Sequence, residues 1–467
     1  MKINSNMSAV ITNKQLLRTE NKLAASMERL STGFKINHAG DNPAGIAISN
    51  KMNAQIKALN QAGNNASDGI SVLQIADGAL NEVSSILQRM RELSVQAANG
   101  TNATGERETI QKEIDQLREE VDRISSDTEY NTKCLLDGSS DIKTYGKHIS
   151  RTFVSDTVEP GMYQIEVETP AKKAQMEIPM ENIRGCVEIN GVNVEITEDM
   201  TTDEIVESIR SISEEGNCDL AFNEDQTALI ITSQDAGRNA ELNVSISEQI
   251  AEELGVDEET ENASFDLETR TWEISTYGQD AVMHLGEGFT DTTTVLTDGN
   301  RISVTDRNGF SIEFLLDENM NPEEEESPII DLEVTDIGYM EIQIGANQYQ
   351  SMDVRIPEIS SRTLYLDEVN VVSLAGATQA IAELDYSIAK VSEVRSRIGA
   401  YQNRMEYASA SVAATDENMT AAYSILMDTD MAIEMAEYSQ QNILNQASIS
   451  VLSQANDLPQ QVLSLLQ

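Results

Sequence analysis

The feature that most constrains the fold is a ladder of apolar residues that recur every seven positions near the end of the chain. Its members are Leu384, Val391, Ile398, Met405, Val412, Met419 and Leu426. Ile381, Ile388 and Val394 join the same stripe in steps of three and four. This spacing predicts a long helix with one apolar seam. Because a helix with a narrow apolar stripe must bury it against another helix, the chain has to supply a partner.

The beginning of the chain is the other part that can supply this partner. Apolar residues from Ile48 to Asn99 keep helical spacing, and roughly fifty residues at 1.5 Å each make a rod of about 75 Å. A turn at 99–102 separates this rod from a second helix, whose seam residues are Ile110, Ile114, Leu117 and Val121. We therefore predict a multidomain protein in which both ends of the chain build a long antiparallel α-helical bundle or coiled coil.

Two shorter amphipathic helices are predicted outside the rods. Residues 1–33 form the first, with Gly33 closing it and Pro43 starting the rod after it. The last helix is predicted to follow the acidic segment 428–430, and a tail is expected from Leu458 to Leu466 around the helix breaker Pro459. The apolar faces include Leu16, Leu23 and Leu30 in the first helix and Met431, Met435, Ile443, Leu444, Val451 and Leu452 in the last.

The middle of the chain changes to strand periodicity and predicts a β-rich α+β region. The pattern at 187–196 predicts a β-hairpin with its turn at Asn190-Gly191. Thr201 and Glu204 have the spacing of a capping box and predict the start of a short helix. We expect two compact units, a small α+β domain near 183–250 and a second β-rich unit near 251–335. The acidic run 323–326 is expected to be a solvated loop.

Charge excludes several classes of partner. The chain has 79 acidic against 32 basic residues, a net charge of −47, so the phosphates of a nucleic acid would be repelled. Residues 201–300 hold 24 acidic and three basic residues, whereas 1–60 hold three acidic and eight basic.

No apolar stretch approaches the eighteen residues of a membrane span, so no membrane insertion is expected. The start of the chain also lacks a secretory signal peptide, which taken alone suggests a cytoplasmic protein.

No pattern of catalytic, cofactor-binding or metal-ligating residues is present. The three histidines, His38, His148 and His284, do not form the His-Glu-x-x-His motif of a zinc protease. We expect the three cysteines, at 134, 186 and 218, to be free thiols, with a 186–218 bridge as the alternative.

Both ends of the chain resemble bacterial flagellin, the subunit of the flagellar filament. The resemblance covers about 1–140 and 338–467, and its motifs occur in the family's order. They are 30–37 (LSTGFKIN), 41–48 (DNPAGIAI), the hairpin segment 342–352, 445–447 (NQA), 451–456 (VLSQAN) and 459–463 (PQQVL). Residues 183–245 also resemble a small domain often inserted in flagellins.

The resemblance implies a domain order and a role for the terminal helices. In the family, the two termini pair as an inner tube, the rods surround it, and the middle projects outward. Leu16, Leu23, Leu30, Ile443, Leu444, Val451 and Leu452 are then residues of the filament core helices. The implied domains are an N-terminal core helix (1–42), N-terminal rod helices (43–138), a variable outer region (139–337), a hairpin with the C-terminal rod helix (338–427) and a C-terminal core helix (428–467).

The same resemblance implies partners and a location. Flagellins are exported unfolded through the flagellar type III apparatus, so an extracellular filament is expected, with an export chaperone, the cap and the hook–filament junction proteins as partners. Residues 87–99 resemble the flagellin segment bound by Toll-like receptor 5 of animal hosts. Carried over by position, Arg89 and Leu93 are the contact pair, with Glu113 and Gln88 beside them. On spacing alone, Leu93 instead packs in the bundle and Arg89 is a solvated charge.

Two alternative functions share parts of this pattern. A hook–filament junction protein has similar terminal helices, although residues 87–99 and the hairpin at 342–352 favour a filament subunit. A filament subunit could also display an adhesin or an enzyme in its middle region, which requires a pocket with convergent polar groups between 139 and 337.

Overall fold

A computed structural model of the chain describes residues 6–179, 185–197, 200–216, 218–223, 228–248, 250–251, 263–266, 271–290, 292–317 and 329–465. The long helices are α1 (Met7–Thr32), α2 (Pro43–Ala97), α3 (Thr104–Asp127), α4 (Thr202–Glu215), α5 (Leu374–Met427) and α6 (Met431–Leu465). The chain divides into two compact units. Unit one comprises Met1–Asp68, Gln343–Ser351 and Met405–Gln467, and unit two comprises Gly69–Ile342 and Met352–Arg404.

The strands lie between α3 and α5 in the sequence. They are β1 (Glu129–Tyr130), β2 (Lys133–Cys134), β3 (Thr144–Tyr145), β4 (Ile149–Val154), β5 (Gly161–Thr169), β6 (Lys173–Pro179), β7 (Gly185–Ile189), β8 (Val192–Ile196), β9 (Cys218–Phe222), β10 (Ala228–Ala236), β11 (Glu241–Ser247), β12 (Ala263–Asp266), β13 (Thr271–Tyr277), β14 (Val282–Leu285), β15 (Thr294–Asp298), β16 (Arg301–Thr305), β17 (Ser311–Leu316), β18 (Ile329–Val334), β19 (Met340–Gln343) and β20 (Ser351–Val354). In the sheets formed by β1 to β18, all neighbouring strands pair in antiparallel orientation.

In unit one, α1 and α6 form an antiparallel pair. Asn6 at the start of α1 donates to the carbonyl of Ala455, and Arg29 near its end pairs with Glu434 at the start of α6. The segments that connect these helices to the rods also pair, since the Lys35 N–H donates to the Met427 carbonyl at 2.7 Å.

The helices of unit one begin and end at capping residues that can be recognised in the sequence. Gly33 has a φ of +79°, the left-handed conformation that closes many helices. Asn42 caps α2 by accepting from the Gly45 N–H, and Asp430 caps α6 by accepting from Ala432 and Ile433. Pro43 is the first residue of α2, as predicted. These local signals determine where the helices begin or end, independently of the packing around them.

In unit two, α2 and α5 run antiparallel and bury the predicted seams. Ion pairs join Arg91 to Asp385 and Arg395 to Asp77 along the two helices. The fully or nearly fully buried seam residues are Leu384, Val391, Ile398, Ile110, Ile114 and Val121, while Leu117 is half-buried. In unit one, Met405 is buried, and Val412 and Met419 are half-buried. The bundle formed by both ends of the chain, together with the strands between them, confirms the predicted fold class.

The middle region contains two apolar cores, both within unit two. The first joins the sheet β6-β10-β9, the sheet β12-β13-β11-β7-β8 and α4 around residues such as Ile178, Ile209 and Val244. The second lies between the sheets β14-β5-β18-β3 and β15-β16-β17-β4 and includes Phe314. The first core draws residues from β6 and β13, outside the range 183–250. The boundaries of the predicted segments stay a prediction.

Some local predictions are confirmed and one is wrong. The hairpin pairs 185–189 with 192–196, with positive φ at Asn190 and Gly191, and Thr201 and Glu204 exchange capping bonds. The expected tail from Leu458 is wrong, because α6 continues through Pro459 to Leu465. The three cysteines are free thiols. The acidic run 323–326 and parts of 251–335 lie outside the described residues.

Candidate functional site

The candidate site is the pair formed by α1 and α6, whose seam is unusually polar. The buried and half-buried residues of each helix recur in alternating steps of three and four. In α1 they include Ala9, Thr12, Leu16, Thr19, Leu23, Ser26 and Leu30, and in α6 Glu434, Tyr438, Gln441, Asn445, Ser448, Leu452 and Ala455. Only four of these fourteen are leucines. In an ordinary coiled coil most of these positions are large and apolar.

Most of the large apolar side chains of the pair lie outside this seam and are exposed to solvent. Their exposed fractions run from 43% to 68%. They are Met7, Val10, Ile11, Leu17 and Met27 in α1 and Met431, Ile433, Met435, Ile443, Leu444, Ile449 and Val451 in α6. An accumulation of large exposed apolar side chains on one helix pair is typical of an interaction surface. The pair therefore presents outward the residues that a self-sufficient helix pair would bury.

Several residues of this seam are small or polar. Cα atoms of the two helices lie within 8 Å of each other along the pair. Ser26 is 0% and Thr19 2% exposed, and the Thr19 hydroxyl is satisfied by the Gln15 carbonyl at 3.0 Å. Ser26 Oγ and Asn445 Oδ1 are buried with no hydrogen-bond partner among the described residues. Such groups weaken a seam, because each has lost water without gaining a partner.

The structure divides the predicted core-helix residues between two locations. Leu16, Leu23, Leu30 and Leu452 are half-buried in the seam, whereas Ile443, Leu444 and Val451 are exposed. Apolar periodicity alone does not predict this polar seam. A signal was present, since Glu434, Gln441, Ser448 and Ala455 recur every seven residues. A series made mostly of polar and small residues does not register as apolar periodicity.

A second group of predicted residues lies on α2 and α3 in unit two. Arg89 pairs with Glu113, whose Oε1 lies 2.8 Å from Arg89 Nη2, and both side chains are about half exposed. The hydrogen bond from Arg89 to Glu113 raises the pKa of the guanidinium. Gln88 is exposed beside them, but Leu93 is only 2% exposed. Three of the four carried-over residues are therefore accessible to solvent, and two of them, Arg89 and Glu113, are in direct contact.

A buried basic and aromatic cluster, which the sequence analysis missed, fastens the second core to α5 within unit two. The Arg301 guanidinium carbon lies 3.8 Å from the ring centre of Tyr365, and Arg301 Nη2 lies 2.8 Å from Glu383 Oε2. Lys390 Nζ lies 2.5 Å from Glu313 Oε2 and 3.1 Å from the ring centre of Phe153. Charges stacked on aromatic faces are stabilised when they are shielded from water.

The burial of this cluster determines its electrostatics. Lys390 is 8% exposed, and burial lowers the pKa of its ammonium group even though Glu313 opposes this shift. The Tyr386 hydroxyl also donates to Glu313 Oε2 at 3.0 Å. One carboxylate on β17 therefore satisfies two buried groups on α5. No spacing in the sequence predicts this, because the contact joins residues more than seventy positions apart.

The described residues contain no helix long and apolar enough to cross a membrane, and no cluster of three or more potential metal ligands. A cleft of about 400 Å³ in unit two is lined by residues such as Arg151, Glu313 and Lys390. The charges of these three residues are already paired within the protein, since Arg151 binds Asp367 and Glu368.

Comparison with known proteins assigns the family. The N-terminal helical region of bacterial flagellin matches residues 3–141, and the C-terminal helical region matches residues 381–466. A flagellin of Clostridium tyrobutyricum is 32% identical over 460 residues, which cover 98% of this chain and 100% of that protein. The chain belongs to the bacterial flagellin family. Flagellin D of Vibrio anguillarum is 31% identical, with 99% of each chain covered, and a flagellin of Salmonella typhimurium is 29% identical, with 100% and 99% covered.

Membership of the flagellin family establishes the general function of the chain. Flagellins are structural proteins, so this flagellin is a structural subunit of the flagellum and not an enzyme. The matched regions contain α1, α2, α3 and α6 entirely and most of α5. The helix pair with the exposed apolar faces thus lies within the regions that define the family.

Proposed function

We propose that this flagellin polymerises into the flagellar filament by burying the exposed apolar faces of α1 and α6 against other copies. The observation that carries the proposal is the distribution of residues in the pair, with polar groups in the seam and large apolar groups outside it. Burying one Val, Leu, Ile or Met side chain contributes about 1.5–3 kcal/mol. Twelve partly exposed side chains of this kind are enough to drive assembly, even after the loss of motional freedom on association.

The contact between copies is expected to be heterologous. A head-to-tail contact whose rotation does not close generates a helical fibre, whereas an isologous contact would stop at a dimer. The location proposed for the fibre is extracellular, following export of the unfolded chain through the flagellar type III apparatus with its chaperone. The cap and the junction proteins are the proposed partners at the filament ends. The proposed domains are those given by the resemblance, from the core helix 1–42 to the core helix 428–467.

The direct test of this function is polymerisation of the purified chain. Monomer seeded with short filament fragments is expected to give long helical filaments in electron micrographs. The same experiment addresses the closest alternative, because a hook–filament junction protein occupies a small number of positions at the filament base. Filaments sheared from cells and composed mostly of this chain support a filament subunit. A chain found only as a minor band, and unable to polymerise, would indicate a junction protein.

We also propose that Toll-like receptor 5 binds this flagellin on the surface formed by Arg89, Gln88 and Glu113. The support is the resemblance of residues 87–99 together with the half-exposed pair of Arg89 and Glu113. Arginine is common among the dominant residues of interfaces, because its planar group makes several hydrogen bonds and stacks on apolar surface. Because Leu93 is buried, we assign it the role of holding α2 in place beneath this surface.

Replacing Arg89 by alanine is expected to weaken receptor binding by about ten-fold or more, the loss typical of a dominant interface residue. The fold and polymerisation should be unaffected, because the pair with Glu113 is exposed to solvent and contributes little to stability. Surface plasmon resonance with the receptor ectodomain measures this change. Arg123→Ala is the matched control, since Arg123 on α3 is also exposed and paired. An unchanged affinity for the Arg89 variant would count against the proposed surface.

A further inference from the structure

Pro459 creates an unusual binding site for a side chain at one end of the α1–α6 pair. The backbone of α6 is helical through residue 459, but proline has no N–H to donate to the carbonyl four residues earlier. That carbonyl belongs to Ala455, and the Nδ2 group of Asn6 donates to it at 2.7 Å. Asn6 Oδ1 at the same time accepts from the Ala9 N–H at 3.2 Å and caps α1. One side chain thus starts one helix and satisfies the carbonyl that proline leaves open in the other.

A second specific contact lies at the other end of the pair. Glu434 is 8% exposed, and its Oε1 accepts from both Nε and Nη2 of Arg29, at 3.1 Å and 3.0 Å. A buried carboxylate without this partner would be strongly destabilised. Glu434 also lies in the first turn of α6, where a negative charge is favoured by the helix dipole. The contact is therefore specific both for the partner and for the end of the helix.

Between these two contacts the seam discriminates poorly between alternative registers. Leu16, Leu23 and Leu30 recur every seven residues, so a slip of one heptad returns leucine to the same place. The facing residues of α6 are mostly polar or small, and they offer no apolar pattern that would oppose such a slip. Polar groups at a few seam positions are known to set register and direction at a cost in stability. The two end contacts have this character, and a heptad slip would break both.

We propose that the contacts Asn6–Ala455 and Arg29–Glu434 fix the register and the antiparallel direction of the terminal pair. The partner that this arrangement serves is a second copy of the chain, because the register decides which outward apolar residues lie side by side. The inference rests on the proposed polymerisation through these outward faces. Stability then comes mainly from contacts between copies, and the seam within one copy supplies the geometry.

The first test separates the end contact from the helix cap. Asn6→Ser keeps a neutral side-chain oxygen that can cap α1 but removes the Nδ2 donor, so the critical concentration for polymerisation should rise about five-fold, as for the loss of one hydrogen bond. In a Pro459→Ala background, the new N–H of residue 459 satisfies the Ala455 carbonyl and replaces the contact. There Asn6→Ser should change the critical concentration less than two-fold, because the carbonyl no longer depends on Asn6. Equal fold-changes in the two backgrounds would overturn the proposal.

The second test exchanges the charges at the other end. Arg29→Glu and Glu434→Arg each place like charges together, and each single variant should raise the critical concentration about ten-fold or more and give filaments with more than one lattice in electron micrographs. The double exchange should restore most of the affinity and a single lattice. A double variant no better than the singles would contradict a role in register.

The outcome also distinguishes this inference from the function on which it rests. If the unmodified chain does not polymerise, the proposed function fails. If it polymerises but the two backgrounds respond equally and the charge exchange does not rescue, only the register proposal fails.

Discussion

Replacing Ile443 and Val451 together by serine is expected to abolish polymerisation at concentrations where the unmodified chain forms filaments. Both side chains lie on α6 outside the seam, and they are 68% and 51% exposed in a single copy. Burial of the two on assembly contributes about 3 kcal/mol per copy. The loss of that contribution raises the critical concentration about a hundred-fold, since 1.4 kcal/mol corresponds to ten-fold. Sedimentation of polymer over a range of concentrations measures this value.

The matched control uses polar residues of the same helix. Gln446 and Gln454 are also exposed, and their replacement by serine removes only one methylene group at each position. This control should polymerise nearly as well as the unmodified chain. The circular dichroism of both variants as monomers should agree with the unmodified chain, because none of the four residues lies in the seam. A serine variant of Ile443 and Val451 that polymerises normally would remove the basis for the proposed assembly surface.

The second large effect is expected in unit two. Glu313→Ala should lower the free energy of unfolding by about 3 kcal/mol, which is a typical loss when one partner of a buried ion pair is removed. The substitution leaves Glu393, at 3.7 Å, as the carboxylate nearest to Lys390 Nζ among the described residues, and it removes the acceptor of the Tyr386 hydroxyl. Chemical denaturation of the monomer measures the change. Glu120→Ala is the control, because Glu120 forms a solvent-exposed pair with Arg123 and its loss should be barely detectable.

This prediction includes a dependence on pH. Burial already lowers the pKa of Lys390, and without Glu313 it should fall further. An unfolded lysine has a pKa of about 10.4. At pH values between the pKa of Lys390 in the folded variant and its pKa in the unfolded chain, the unfolded chain binds more protons than the folded chain. The free energy of unfolding of the variant therefore rises with pH. The deficit of the variant should therefore become smaller as pH increases toward about 10. A deficit that grows with pH would contradict the assignment of the loss to a buried unpaired ammonium group.

The helical frame could be predicted from the sequence because each of its signals is local. The ladder from Leu384 specifies a seam, Pro43 and Asp430 specify helix starts, and Asn190-Gly191 specifies a hairpin turn. Each works through backbone conformation or through periodicity, and neither needs a distant partner. The buried seam of α5 and the start of α6 confirm this part of the prediction.

The seam of the terminal pair could not be predicted in this way. Apolar periodicity assumes that the largest apolar residues are buried within one copy, and Ile443 and Val451 break that assumption. Their burial depends on a second copy that the sequence pattern does not represent. Pro459 was expected to break α6, but Asn6 compensates for the lost bond from a position 453 residues earlier. The contact of Lys390 with Glu313 likewise depends on tertiary structure alone.

The most direct test of the account is electron cryo-microscopy of polymerised full-length chain at a resolution that shows side chains. The account predicts that α1 and α6 remain paired through Thr19, Ser26 and Gln441, and that Ile443 and Val451 are covered by a neighbouring copy. Terminal helices that separate on assembly, or a filament in which Ile443 and Val451 still face solvent, would contradict it.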